Sequence, residues 1–320
     1  MISAVRFHIV VLAAAVALLV SCGGGKSAKV AGDESFPYVK APSMMDDSQK
    51  LDYLSAHFWD RYFKKAAGSE DADSTSIGGI KATEVEQAMS NYMALLLSQE
   101  PDKASGSAAS FADKIISIYA QDSASTVFAR MSAMFERYIY DPNSPLRDED
   151  VYTGYASHMA RCETLPAAKK ESYAEEERLT SLNRRGTKAA DFNFCDNRGR
   201  QYSLYGIKAE KIILFFSNPG CKACKEIIET LNSLDGMEES IAAGKIAVLN
   251  IYIDEDIHGW LDYMPIYPKS WYNGYDSEHM VRGDELYNVR AIPSLYLLDE
   301  NKTVLLKDVP VERLINNLTI

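Results

Sequence analysis

The spacing of apolar residues changes character twice along the chain. Residues 9–20 are an uninterrupted apolar run of twelve. From about 46 to 183 apolar positions recur every three or four residues: Leu51, Leu54, Phe58 and Tyr62; Val85, Met89, Tyr92 and Leu96; Phe111, Ile115 and Ile118; Val127, Met131, Met134 and Tyr138; Val151, Tyr155, Met159 and Cys162. That is the period of helices with one buried face. Stretches rich in Gly, Ser and Asp at 68–79, 105–107 and 141–145 divide the region, predicting five or six helices in a bundle. The last break cannot be helical, because Pro142 and Pro145 each remove a donor and push the preceding residue out of the α region.

From about 184 the period is that of strands. Asp191 to Cys195 and Gln201 to Leu204 flank a turn and read as a hairpin. Residues 211–216 and 246–253 are continuous apolar runs, as expected of strands buried on both faces. Between them a helix is predicted from Cys221, with Ile227, Ile228, Leu231 and Leu234 inward and Gly236 ending it. An irregular insert, 256–289, precedes a second hairpin (294–298 and 303–306) and a last helix opened by Pro310. The predicted fold class is a C-terminal α/β domain, a central mixed sheet flanked by helices, behind an N-terminal all-α domain. Four segments result: 1–21 a signal, 22–45 a flexible tether, 46–183 the helical domain and 184–320 the α/β domain.

Residues 9–20 are too short to span a bilayer, which takes roughly 20 residues, but suit the core of a signal peptide behind Arg6. Leu19-Val20-Ser21-Cys22 then resembles a bacterial lipobox, which implies cleavage before Cys22 and lipid on its sulfur. The expected setting is a lipoprotein of a Gram-negative envelope, its body in the periplasm, with the leaflet open. A net charge of −11 and no extended basic run exclude nucleic acid as the main partner.

Five cysteines are too few for a disulfide-stapled scaffold, but Cys221 and Cys224 are three apart. Pro219-Gly220-Cys221-Lys222-Ala223-Cys224 joins a buried strand to a helix. There the amide groups lack partners and the helix dipole favours a thiolate. Lowering a thiol pKa from ~8.5 to ~7 raises the thiolate fraction at pH 7 roughly fifteenfold but lowers nucleophilicity about fivefold. Attack therefore gains little, and the main advantages are a better leaving group and a resolving thiol within reach.

On these residues, 184–320 resembles the thioredoxin-like domains of the membrane-anchored (TlpA-type) thiol–disulfide oxidoreductases. Carrying the likeness are Asp191-Phe192-Asn193-Phe194, the turn from Phe215 through Cys224, and Ala291-Ile292-Pro293-Ser294-Leu295. The resemblance implies a redox-active Cys221–Cys224 disulfide with no other cofactor and no metal. It also implies a cis Pro293 against the CxxC, and a substrate strand held by Ile292 and Pro293. Pro219, Gly220, Lys222 and Ala223 would support the active turn. Client proteins with disulfides and a membrane electron donor are the implied partners. Residues 46–183 resemble an uncharacterised helical domain found before such domains in bacterial lipoproteins, through His57-Phe58-Trp59-Asp60-Arg61 and Tyr140-Asp141-Pro142-Asn143-Ser144-Pro145. That likeness implies no activity.

The chain departs from thioredoxin in three respects. The strand entering the turn is wholly apolar, so the family's buried Asp is absent or supplied from elsewhere. Pro219-Gly220 replaces the Trp before the first Cys, and Lys222-Ala223 matches neither the Gly-Pro of thioredoxin nor the Pro-His of strong oxidants, which leaves the reduction potential open. Cys162 and Cys195 sit on apolar faces and are expected to be buried thiols rather than a bridge. The aromatic residues of the insert are expected to pack it on the sheet, and Glu175 to Glu177 to be a solvated helix face. Three functions stay open: a disulfide reductase, a tethered interaction module on a thioredoxin scaffold, and Cu(I) handling.

Overall fold

The sequence folds into seven helices followed by a seven-stranded sheet, in a computed structural model that describes residues 35–67 and 74–318. The signal run and Cys22 lie outside the described residues. Helix α1 (Asp47–His57) opens with a capping box, in which Asp46 accepts from the Gln49 amide and Gln49 accepts from the Asp46 amide. Next come α2 (Asp60–Ala66) and a small hairpin, β1 (Ser76–Ile77) and β2 (Ile80–Lys81), turned by Gly78 and Gly79 at positive φ. Helices α3 (Ala82–Leu97), α4 (Pro101–Gln121), α5 (Thr126–Ile139), α6 (Glu149–Ala160) and α7 (Ala167–Thr180) complete the bundle.

Three expectations need correction here. The first apolar stripe is two helices, because the chain turns at Phe58 and Trp59, and α7 is so polar that only Thr180 is buried and no stripe marks it. Residues 105–107 do not break a helix but lie within α4. Their small size serves packing instead: α6 crosses there so closely that a Cβ on Gly154 would lie 2.1 Å from the Ser105 carbonyl oxygen. The tether also ends earlier than residue 45, for Phe36 is only 4% exposed and stacks on Tyr62 at 5.5 Å, edge-on to Trp59 at 5.4 Å.

The sheet is ordered β4-β3-β7-β6-β5-β8-β9. Its members are β3 (Asn193–Asp196), β4 (Gln201–Ser203), β5 (Lys211–Phe216), β6 (Ile246–Tyr252), β7 (Tyr272–Tyr275), β8 (Ser294–Asp299) and β9 (Val304–Leu306). Central β5 runs parallel to β6 and antiparallel to β8. Alternate side chains of β5 enter two cores: Ile213 and Phe215 pack with α8 (Lys222–Asn232), α10 (Ile257–Tyr263) and α11 (Val311–Ile315), whereas Ile212, Leu214 and Phe216 meet Phe192, Leu204, Val281 and Tyr287. Gly236 does not end α8, which stops at Asn232 with Ser233 as its C-cap; at φ 81° it is the N-cap of a further short helix, α9 (Met237–Ala242).

The insert also holds a strand that the sequence does not suggest. Strand β7 runs straight through Asn273-Gly274, parallel to β6 and antiparallel to β3. Gly274 is there for proximity, since a Cβ would lie 2.5 Å from the Phe194 ring. The aromatic side chains of the insert do pack it down, with Trp260, Tyr267 and Trp271 all buried. Among the described residues, no helix is long and apolar enough to cross a membrane.

Residues 35–320 form one unit in which the bundle meets the sheet through charge. Asp148, Glu149 and Asp150 occupy the N-cap and first turn of α6, where the helix dipole favours anions. Opposite them stand Arg185, 2.9 Å from Asp148 and 2.7 Å from Asp150, and Arg290 and Lys307, each 2.9 Å from Glu149.

Candidate active site

Strand β5 ends at Phe216 and the chain leaves the sheet through Ser217, Asn218, Pro219 and Gly220. Two polar contacts fix that exit. The Ser217 hydroxyl bonds the buried Asn250 of β6, and Asn218 donates through Nδ2 to Asp254. Gly220 sits at φ 73°, and a Cβ there would meet nothing within 4 Å, so backbone conformation rather than space calls for glycine. The chain then turns into α8 with Cys221 as its N-cap, its Sγ accepting from the Cys224 amide at 3.1 Å.

Cys221 and Cys224 form a disulfide with Cα atoms 5.2 Å apart. Their surroundings differ. Cys221 is half-buried, whereas Cys224 is 2% exposed and faces Ile213, Phe215 and Ile228. An approaching disulfide therefore meets Cys221 and not Cys224, and the first turn of α8 presents unpaired amides to that sulfur. Lys222 and Ala223 are exposed; the Lys222 side chain keeps 91% of its surface and lies 3.6 Å from Glu226. In that geometry Lys222 has little leverage on the sulfur.

Sheet register places the other half of the site. Ser294 opens β8 directly opposite Phe216, so Ile292 and Pro293 lie beside the exit toward Cys221. The Ile292–Pro293 peptide is cis, and Ile292 and Cys221 pack against the same core. Both are half-exposed along this edge.

Strand β5 is buried and apolar from Ile212 to Phe216, so it brings no acid beneath Cys224. Tyr252 and Tyr267 pack in the same core. Burial pushes Tyr267 up to about 12 and also raises Tyr252, so both stay protonated at neutral pH. Among the described residues, no three His, Cys, Asp or Glu side chains gather where a metal could sit. His258 is exposed on α10, and Cys162 and Cys195 are buried free thiols.

Reasoning from the sequence assigned Asn218 and Ser294 no role of their own and did not consider Asp254; Asn218 ties the turn to the loop after β6, and Ser294 ties the start of β8 to Asp308 after β9. No local signal marks them, because each partner is remote in the chain.

Known proteins share parts of this chain. The sequence pattern of a domain of unknown function (DUF5106) matches residues 20–183. A thioredoxin-like protein from Bacteroides caccae ATCC 43185, known from its crystal structure, is 34% identical with a TM-score of 0.74, over 88% of this chain and 96% of that one. The C-terminal domain of an uncharacterized protein from Bacteroides fragilis NCTC 9343 is 45% identical over 42% of this chain and 97% of its own, with a TM-score of 0.41. Probable nucleoredoxin 1 of Arabidopsis thaliana is 32% identical over 120 residues, 35% of this chain. The chain spans only 19% of that curated relative's length.

Proposed function

Because this chain belongs to the thioredoxin-like proteins that carry a DUF5106 domain, we propose that it is a lipid-anchored reductase of client disulfides in the cell envelope. The observation that carries the proposal is the pairing of a reachable Cys221 with an enclosed Cys224, beside the open edge at Ile292 and Pro293.

In the reduced protein the Cys221 thiolate attacks one sulfur of a client disulfide. A Cys221–client bond forms, the client's own S–S bond breaks, and its second sulfur leaves as a thiolate that takes up a proton. Ile292 and Pro293 hold the client's backbone during this step. Cys224 then loses its proton and attacks Cys221, which releases the client's first sulfur as a thiol and leaves the 221–224 disulfide. Two electrons have moved from protein to client. A membrane dithiol donor returns them by the same exchange. With no acid on β5, the Cys224 proton leaves to solvent or to the departing thiolate, so resolution is expected to quicken as pH rises.

The apolar run 9–20 and the Leu19-Val20-Ser21-Cys22 sequence support lipidation at Cys22 and a periplasmic body. Direction is the finest part of the proposal, since ~30 mV shifts a two-electron couple by ~1.4 kcal/mol. Insulin reduction by the soluble body, compared with its Cys221→Ala variant, is the test. Loss of turnover in the variant is expected, and equal activity would refute the proposal. A Cys224→Ala variant should accumulate mixed disulfides that identify the clients.

One observation favours a second reading, a tethered binding module with an idle disulfide: β5 carries no acid that could move a proton at Cys224. In that case Cys224→Ala would trap nothing.

A further inference from the structure

The Tyr140–Pro145 motif of the helical domain, to which no activity attaches, reaches the edge of the active site. Arg290 lies three residues before Pro293 and stacks on the Tyr140 ring, its guanidinium carbon 4.1 Å from the ring centre. Arg290 also donates to the Tyr140 carbonyl, to Glu149 of α6 at 2.9 Å and to Asp308 at 3.2 Å. Asp308 in turn accepts from the hydroxyl of Ser294, the residue after Pro293, at 2.8 Å. One carboxylate thus holds both ends of the segment that contains Ile292 and Pro293.

The arrangement is built to be stiff. Asp308 adopts φ 45°, a left-handed conformation rare outside glycine, and is buried. Lys307 beside it is buried too, bridging Glu149 and the carbonyls of Thr180 and Leu182 in the helical domain. Tyr140 is backed by Tyr152, stacked at 3.9 Å. The three guanidinium nitrogens of Arg290 each hold a different acceptor, so the planar fork fixes direction as well as distance.

We infer that the helical domain supports the client-binding edge, with Glu149 and Asp308 acting through Arg290 as positioning residues for Ile292 and Pro293. The inference rests on the oxidoreductase reading for its purpose, but the support itself can be measured without turnover.

The test uses the whole soluble body and the variants Glu149→Gln, Arg290→Lys and Ser294→Ala. Hydrogen exchange should quicken across residues 290–296 in each, with 211–216 unchanged. KM for a protein disulfide such as insulin should rise about tenfold in Glu149→Gln at similar kcat, within the ~10²-fold that a 1 Å misplacement can cost. Reaction with a small aromatic disulfide, which needs no backbone contact, and the reduction potential of the 221–224 pair should not move. Arg290→Lys keeps the charge without the fork and should fall between. If Glu149→Gln does not fold, Ser294→Ala and Arg290→Lys carry the same comparison. Exchange that stays unchanged at 290–296, or quickens evenly along the chain, overturns the inference, as does a shifted potential. A wild-type protein inert toward insulin, but with the localised exchange response, sinks the oxidoreductase reading and leaves the support standing.

Discussion

Glu136 shows how a side chain that looks ordinary in sequence acquires a distinct role. It sits on α5 and is mostly buried, accepting from the hydroxyls of Tyr155 on α6 at 3.1 Å and Tyr173 on α7 at 2.7 Å. Burial pushes its carboxyl above the ordinary range, and the two tyrosines only partly counter that. A carboxyl raised on folding binds more protons in the folded state. Its stabilising effect is therefore complete below the unfolded value of ~4.3 and is lost as pH rises through the folded one. Compared with Glu136→Gln, which keeps an acceptor, the wild type should lose unfolding free energy as pH climbs from 4 toward 7. Urea titrations at several pH values measure this, and a difference independent of pH would show the carboxyl to be unperturbed.

Helix packing carries a paired prediction of opposite sign. Gly154 on α6 and Gly106 on α4 are both helical glycines, so alanine should gain about 1 kcal/mol of helix propensity at each. At Gly106 nothing lies within 4 Å of the added carbon, so the gain stands and Gly106→Ala should stabilise. At Gly154 the new methyl group meets the Ser105 carbonyl, a backbone atom that cannot rotate aside. Overpacking costs about 1–3 kcal/mol and occasionally more, so Gly154→Ala should be a net loss. Thermal melts of the two variants check both signs. The same close crossing explains why Ser105-Gly106-Ser107, which has the composition of a break, is helix.

For the whole molecule the decisive feature is the charged seam between bundle and sheet. Removing one partner of a buried ion pair costs about 3–5 kcal/mol, a large part of the ~5–15 kcal/mol that holds a domain folded. Parting the halves would strip Glu149 of both its cations and take from Arg290 and Lys307 the carboxylate they share. The body should therefore unfold in one transition, with Trp59 in the bundle and Trp260 and Trp271 in the α/β half reporting the same midpoint. Calorimetry showing one peak, with matching van't Hoff and calorimetric enthalpies, is the expected result. Two separated peaks would mean that the halves are energetically independent.

Whatever depends on neighbours along the chain was legible without the fold. The change from helical to strand period, the buried runs at 211–216 and 246–253, and a dithiol at a strand-to-helix turn all follow from local spacing. Backbone geometry alone converts such spacing into faces and turns. Contacts between distant residues decided the rest. Phe36 left the tether because an aromatic pocket awaited it, and residues 272–275 became strand because β6 and β3 flank them. Nothing local marks Asp148-Glu149-Asp150 as buried, since Arg185, Arg290 and Lys307 come to them from residues far along the chain. A charge or a glycine specifies no partner by itself; the partner is set when packing brings the two together and removes the water between them.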